Sequence, residues 1–316
     1  MTRPLWVALA WAALLAVVAA VAPAFFDPVN LRDLVVRASP LLIVACGMTI
    51  VILARQIDIS VGSQFAICGV VAGLLARTGL PMPLVALGTM AAGAGLGLIN
   101  GLLVARLGLP AIVVTLATLV AWREGLRFAT EGVWVQDLPA GFQWFGLGQD
   151  VGRWLVGCTA AAVWAGVVVV LGWTPAGRAV YATGSDAEVA RLLGVRPPVV
   201  IGGAFVVMGA LTGLAALLSA VQFIDVQANA GIGLELSVIA AVVVGGTAVS
   251  GGRGSLTGTL AGVALLATVG PALTFLGAPA AWERALQGAI ILAAVAVDAV
   301  RERRAFHAAI AASGPA

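Results

Sequence analysis

The 316-residue chain has no lysine, and all 17 of its basic residues are arginines. A glycine-rich phosphate loop closed by Gly-Lys-Ser/Thr is therefore absent, which excludes an ATPase built on that loop. Its one histidine, His307, lies in the polar tail behind Arg301 to Arg304 and reads as a solvated or headgroup-facing side chain rather than a general base. Three cysteines, Cys46, Cys68 and Cys158, lie in or beside apolar runs. An odd number in such settings argues for small buried hydrophobes, against a disulfide framework. With no Cys/His cluster at ligand spacing, neither a metal site nor a cofactor is expected. Charge is scarce as well, at 10% of residues, against roughly 25% in a soluble domain.

What is abundant completes the class. Hydrophobic residues make up 61% of the chain, mean hydropathy is +1.09, and there are 40 glycines. Such a chain cannot cover its own surface with polar groups, and it is too apolar to be disordered. An integral membrane protein remains, in which glycine allows helices to approach closely.

The gaps between charges carry the topology. Charge-free runs cover 4–26, 38–54, 59–76, 78–105, 107–122, 154–177, 197–224, 236–252, 254–282 and 285–297. A bilayer core about 30 Å thick takes roughly 17–25 apolar residues per helix. The short runs 107–122 and 285–297 span if Arg123 or Glu124, and Arg284 or Asp298, reach headgroup level. The runs do not alternate as barrel strands would. The expected fold is all-α, a polytopic membrane protein of about ten transmembrane helices.

Orientation follows from the arginines. With the N-terminus inside, the inner face receives ten arginines (3, 55, 106, 178, 191, 196, 253, 301, 303 and 304) against five acids. The outer face receives seven arginines against nine acids. Both termini are then cytoplasmic. No basic cluster interleaved with aromatics exists, so nucleic acid is not an expected partner. Arg3 with the small-residue stretch 19–24 also fits a cleaved signal peptide, but the length of the run and the membrane segments after it favour a span.

Inside the bundle, acids are nearly absent. Asp58, in Arg55-Gln56-Ile57-Asp58-Ile59-Ser60-Val61-Gly62, is either an ion or proton relay or, on the plainer reading, a cap or loop residue that accepts backbone N–H groups at the start of the third segment. The second reading is favoured, since a single acid beside Arg55 makes a poor relay. The longest inner loop, about 173–199, is expected to hold a short helix over about 184–195. Ser185 would cap it, Glu188 would complete a capping box, and Gly194 would stop it. Such a helix suits docking in a partner's groove, with lying on the membrane surface as the alternative. Gly251-Gly252-Arg253-Gly254-Ser255 reads as a tight inner turn.

These residues together resemble a family: the membrane permease subunits of ribose-type ABC sugar importers. The resemblance runs from about Asn30 to Arg301. Its most specific stretch is Glu235-Leu236-Ser237-Val238-Ile239-Ala240-Ala241-Val242-Val243-Val244-Gly245-Gly246-Thr247, continued by Ser250-Gly251-Gly252-Arg253-Gly254-Ser255. Ser237 stands where the family usually has Asp. Ile57-Asp58-Ile59-Ser60-Val61-Gly62, Gly97-Leu98-Ile99-Asn100-Gly101 and Pro110 with Thr115-Leu116 also match, although Arg55-Gln56 replaces a usual glycine pair.

The resemblance implies a single transmembrane permease domain over 1–304 and a cytoplasmic tail over 305–316. It places ATPase coupling at Gly177, Arg178, Gly184, Asp186, Ala190, Arg191, Leu193 and Gly194, and structural or gating roles at Asp58, Glu235, Gly245, Gly246, Gly251, Gly252 and Arg253. It also implies cytoplasmic ATP-binding subunits, a periplasmic sugar-binding protein, a second permease copy or homologue, and no catalysis by this chain. Trp122-Arg123-Glu124 and Trp134-Val135-Gln136 look closer to the rhamnose-type subgroup.

Asn100, Thr115, Thr118, Gln222, Thr247 and Ser250 are the polar residues able to line a path, each with helix-to-helix bonding as its alternative. Gln222 and Asn100 rank first, because a two-ended amide is costly to bury unused. Outside, Trp134, Phe142, Trp144 and Phe145 suit an interfacial aromatic belt, or else a landing surface for a binding protein. An ion-driven secondary transporter is the competing class, and a membrane enzyme is more distant.

Overall fold

The computed structural model describes residues 3–279, 282–283, 285–290 and 292. The arginine cluster at 301–304, His307, and residues 291 and 293–297 of the last expected span lie outside the described residues.

Among the described residues the regular structure is helical: α1 (Arg3–Val21), α2 (Pro28–Leu53), α3 (Val61–Arg77), α4 (Met82–Ala105), α5 (Ala111–Ala129), α6 (Gln149–Trp173), α7 (Pro175–Ser185), α8 (Ala187–Leu192), α9 (Pro197–Ala220), α10 (Leu234–Val244) and α11 (Leu256–Phe275). An isolated antiparallel bridge, Val135 to Val226, is the one β element among the described residues. Pro28, Pro175 and Pro197 open α2, α7 and α9, where the missing N–H costs nothing. The hydroxyl of Ser255 caps α11 by accepting from the Gly258 amide. Five helices, α2, α4, α6, α9 and α11, are long and apolar enough to cross a membrane.

α2 is the hub. From Ile43 to Leu53 almost every side chain is buried, and it packs on α9, α6, α11 and α10. α4 and α9 meet backbone to backbone: a Cβ on Gly93, Gly97 or Gly209 would overlap a carbonyl oxygen of the facing helix. The four-residue spacing of Gly93, Gly97 and Gly101 supplies that flat face.

One expected span proves discontinuous. The run 236–252 holds only the 11-residue α10, about 16 Å long and too short to cross. It ends in a glycine turn over 245–255. The α2–α3 connection is a partly buried, non-helical segment, with Asp58 and Ser60 fully buried. The cysteine expectation needs one correction: Cys46 and Cys68 are buried, but Cys158 is exposed on α6. The aromatic belt needs another, because Phe142 is fully buried and belongs to a core cluster.

Candidate functional site

At the arginine-rich end of the bundle, three chain segments converge. α2 ends at Leu53, whose carbonyl oxygen accepts from the amide of Gly252 at 3.0 Å. Gly184, in the last turn of α7, lies against that pair. A Cβ there would overlap the Leu53 carbonyl oxygen and come within 2.7 Å of the Gly252 nitrogen. Gly251 and Gly252 have φ of +82° and +68°, conformations that side chains other than glycine rarely take. Their own hydrogens face Arg55 Cβ and Ser185. The Tyr181 hydroxyl donates to Gly254 O at 3.1 Å. Burial raises the Tyr181 pKa, so the phenol keeps its proton at neutral pH and the bond persists. Gly177 is likewise held against the last turn of α6, where a Cβ would overlap the backbone of Val170 and Leu171.

α8 projects from this junction. The expected helix over 184–195 is in fact the end of α7 followed by α8, and the cap is Asp186, not Ser185. Asp186 Oδ1 accepts from the amides of Glu188 and Val189 at 2.9 and 3.0 Å. The backbone breaks at Asp186, with φ −158° and ψ 108°, so Ser185 is still inside α7. Gly194 (φ +86°) terminates α8 as expected, with its amide and that of Val195 bonded to Arg191 O and Ala190 O. Ala190 faces the bundle, while Leu192 and Leu193 are 78% and 77% exposed. Arg178 and Arg253 are exposed; Arg191 pairs with Glu188 at 2.6 Å.

One layer deeper lies a polar network centred on Ser60. Asp58 Oδ1 accepts from the Ser60 amide (2.9 Å) and hydroxyl (2.6 Å), and Gln64 Nε2 donates to Asp58 Oδ2 at 2.8 Å. Gln64 Nε2 and Asn100 Nδ2 both reach Ser60 Oγ at 2.8 Å. Asp58 thus holds the turn before α3 and ties it to α4. Gln64, which sequence reasoning passed over, was signalled by an amide one helical turn after Ser60 in an otherwise apolar run.

Glu235 stands in the first turn of α10. Its Oε1 accepts from the Gly233 amide at 3.2 Å, while its buried Oε2 finds no hydrogen-bond donor among the described residues. Arg123 of α5 feels the Glu235 charge and donates to Ala230 O at 2.9 Å. That partnership was not visible in the sequence, where the two residues are 112 positions apart.

A cavity of about 710 Å³ opens beside the start of α10, between α2, α3, α9 and the helical residues 285–290. Arg37, Gln222, Ser237, Glu283 and Gln287 supply its polar wall, and Phe65 and Phe223 part of its apolar wall. A second cavity of about 510 Å³ shares Arg37, Ser237, Glu283 and Gln287 with it and continues toward Asn30 and Thr274. Of the residues expected to line a path, Gln222 is on this wall. Asn100 is in the Ser60 network, and Thr115 and Thr118 bond back to Ala111 O and Val114 O. Thr247 is buried beside Gly254, and Ser250 is exposed in the inner turn. Gly245 packs on Gly258 of α11, and Gly246 turns the chain with φ +94°.

A discontinuous helix thus borders a polar cavity, and a short exposed helix projects from the junction of α2, α7 and the glycine turn. The sequence profile of the family described as branched-chain amino acid transport system / permease component matches residues 30–295. The chain is 36% identical over 261 residues, 83% of its length and 76% of the relative's, to the autoinducer 2 import system permease protein LsrC of Escherichia coli K12. It is 33% identical over 296 residues, 90% of each chain, to the ribose import permease protein RbsC of Escherichia coli K12. No solved structure matches it. This multi-pass membrane protein belongs to the permease-component family of ABC importers, in the branch that holds the ribose and autoinducer 2 import permeases.

Proposed function

We propose that the chain is the inner-membrane permease subunit of an ABC importer that carries a monosaccharide, rhamnose, ribose or a related pentose or hexose, with autoinducer 2 as the alternative cargo. The observation that carries this reading is the contact of Gly184 with Leu53 and Gly252. Through it the α7–α8 segment touches both the central helix α2 and the turn that follows the discontinuous α10. Exposed Leu192 and Leu193 would sit in a groove of a cytoplasmic ATP-binding subunit. Closure of a pair of such subunits would then move α7–α8 and, through Gly184, tilt α2 and α10 about the cavity. A periplasmic sugar-binding protein would deliver the cargo, and a second permease copy or homologue would complete the pathway in the lipid bilayer. The energy comes from the partner, and this chain supplies no catalytic group.

Uptake of radiolabelled rhamnose and ribose tests the reading in cells that express the chain with a cognate ABC ATPase and sugar-binding protein. Uptake abolished by vanadate but not by a protonophore supports it. The buried carboxylate of Asp58 is the observation that favours ion coupling, and uptake that collapses with the proton gradient while ATP is intact would establish that alternative. Against it, both Asp58 oxygens already accept hydrogen bonds from Ser60 and Gln64.

A further inference from the structure

At the outer end of the bundle, the segment 131–148 builds a third cavity, of about 420 Å³, within the roughly 300–1,000 Å³ of small-molecule sites. Its wall is one indole, Trp144, three amide side chains, Gln143, Gln149 and Gln222, and three small residues. No charged side chain lines it.

The indole is placed by an unusual backbone. Trp144 and Phe145 have φ of +50° and +60°. Two successive aromatic residues in the left-handed region cost about 1–3 kcal/mol each, and persist only where surrounding contacts impose them. Here the Trp144 amide donates to Val221 O at 2.8 Å, the Phe145 amide to Phe142 O at 3.1 Å, and the Phe142 ring is fully buried beneath. Gly152 of α6 forms the seat of the ring, since a Cβ there would come within 2.7 Å of Trp144 Cβ and 2.9 Å of Cε3. The Arg153 guanidinium lies 6.0 Å from the ring centroid and pairs with Asp33 at 3.0 Å. An indole positioned only to sit in an interfacial belt requires none of this.

We infer that this cavity is an entry subsite for a neutral polyhydroxylated ligand, a pyranose or furanose, with Trp144 as its platform and the three glutamines as its hydrogen-bonding partners. The negative face of the indole attracts the slightly positive C–H face of a sugar ring. Each glutamine offers both a donor and an acceptor, which matches hydroxyl groups that are themselves both. A wall without formal charge favours a neutral ligand over a sugar phosphate or an amino acid. Gln222 Nε2 spends one hydrogen on Leu218 O at 2.8 Å and keeps its other hydrogen and its carbonyl oxygen for a ligand. The same residue lines the 710 Å³ cavity, so a sugar leaving the entry subsite meets the inner chamber through one shared amide. The ligand class rests on the transport reading above; the placement of the subsite rests on the cavity and the strained indole.

The test uses the assembled transporter in proteoliposomes, with radiolabelled rhamnose and ribose on the binding protein. Two signals are read: sugar uptake, and ATP hydrolysis stimulated by the sugar-free binding protein. Trp144→Ala is expected to lower uptake about five- to tenfold, as loss of one ring contact would, and Trp144→Phe to restore most of it, with stimulation by the binding protein unchanged in both. Gln143→Ala/Gln149→Ala changes two exposed side chains and so bypasses any folding defect of the tryptophan variant; it is expected to change the rhamnose-to-ribose uptake ratio. Uptake by well-folded Trp144→Ala at the wild-type rate, or an unchanged ratio in the glutamine variant, overturns the subsite. So does a loss of stimulation that parallels the loss of uptake, because that pattern makes the segment a landing surface for the binding protein. A wild-type complex whose ATP-binding subunits hydrolyse ATP but which moves no neutral sugar refutes the transport reading itself, a result distinguishable because it needs no variant.

Discussion

The amide of Gly252 donates to the carbonyl oxygen of Leu53 across 3.0 Å, and Gly184 occupies the space beside that bond so closely that a methyl group cannot be added. Neither neighbour can yield cheaply, since both contacts are backbone. Overpacking of this kind costs about 1–3 kcal/mol. Gly184→Ala is therefore expected to reach the membrane in normal amounts yet lose most of its uptake, because α7 must lift off α2 to fit the methyl. Membrane-fraction immunoblots beside uptake rates give the comparison, and normal uptake at normal abundance removes Gly184 from the coupling path.

Leu193 poses the complementary case. It is 77% exposed at the end of α8, and exposed substitutions away from special features usually stay within about 0.5 kcal/mol. Leu193→Asp should leave the melting temperature of the purified permease where it was, yet abolish co-purification of the ATP-binding subunit. Retained co-purification would mean that α8 lies on the lipid surface instead.

Asp58→Ala would strand the Ser60 amide and hydroxyl and one Gln64 N–H in a fully buried setting. An orphaned buried polar group costs about 1–3 kcal/mol, so a clear drop in thermal stability is expected. Asn100→Ala removes the bond to Ser60 Oγ but leaves the bonds of Asp58 to Ser60 and Gln64 in place, and should cost less. If Asp58→Ala melts like the wild type but no longer transports, the residue acts in ion movement rather than in holding the turn.

What was legible in the sequence follows from where charge is expensive. Long charge-free runs located α2, α4, α6, α9 and α11, because a charge inside a span is excluded at high energetic cost. The same rule failed at 236–252, where the chain stays apolar although α10 stops at Val244. Glycine turns carry no charge, so a broken helix looks like a whole one. The capping residue was misplaced by one position, since Ser185 and Asp186 are both good caps and the choice between them depends on α7 continuing through Ser185 to seat Gly184. The cavity wall was mostly hidden. Arg37 and Glu283 read as outer-face charges, and nothing local reveals that two helices bring them to one chamber with Ser237 and Gln222.

Arg123 and Glu235 give the sharpest test of that hidden layer. Arg123 donates to Ala230 O at 2.9 Å, just ahead of α10, while Glu235 keeps one buried oxygen without a hydrogen-bond donor among the described residues. Arg123→Ala deletes the donor to that carbonyl and the positive charge that Glu235 sees, so it should destabilise the attachment of α5 to the segment that leads into α10 by about 1–3 kcal/mol. Glu235→Gln removes the buried negative charge but also weakens the acceptor of the Gly233 amide. If the two charges support each other, the double variant Arg123→Ala/Glu235→Gln should melt higher than the sum of the single losses predicts, by more than about 0.5 kcal/mol. Strict additivity would mean that Arg123 acts through Ala230 alone. The start of α10 would then be held by backbone bonding and not by charge.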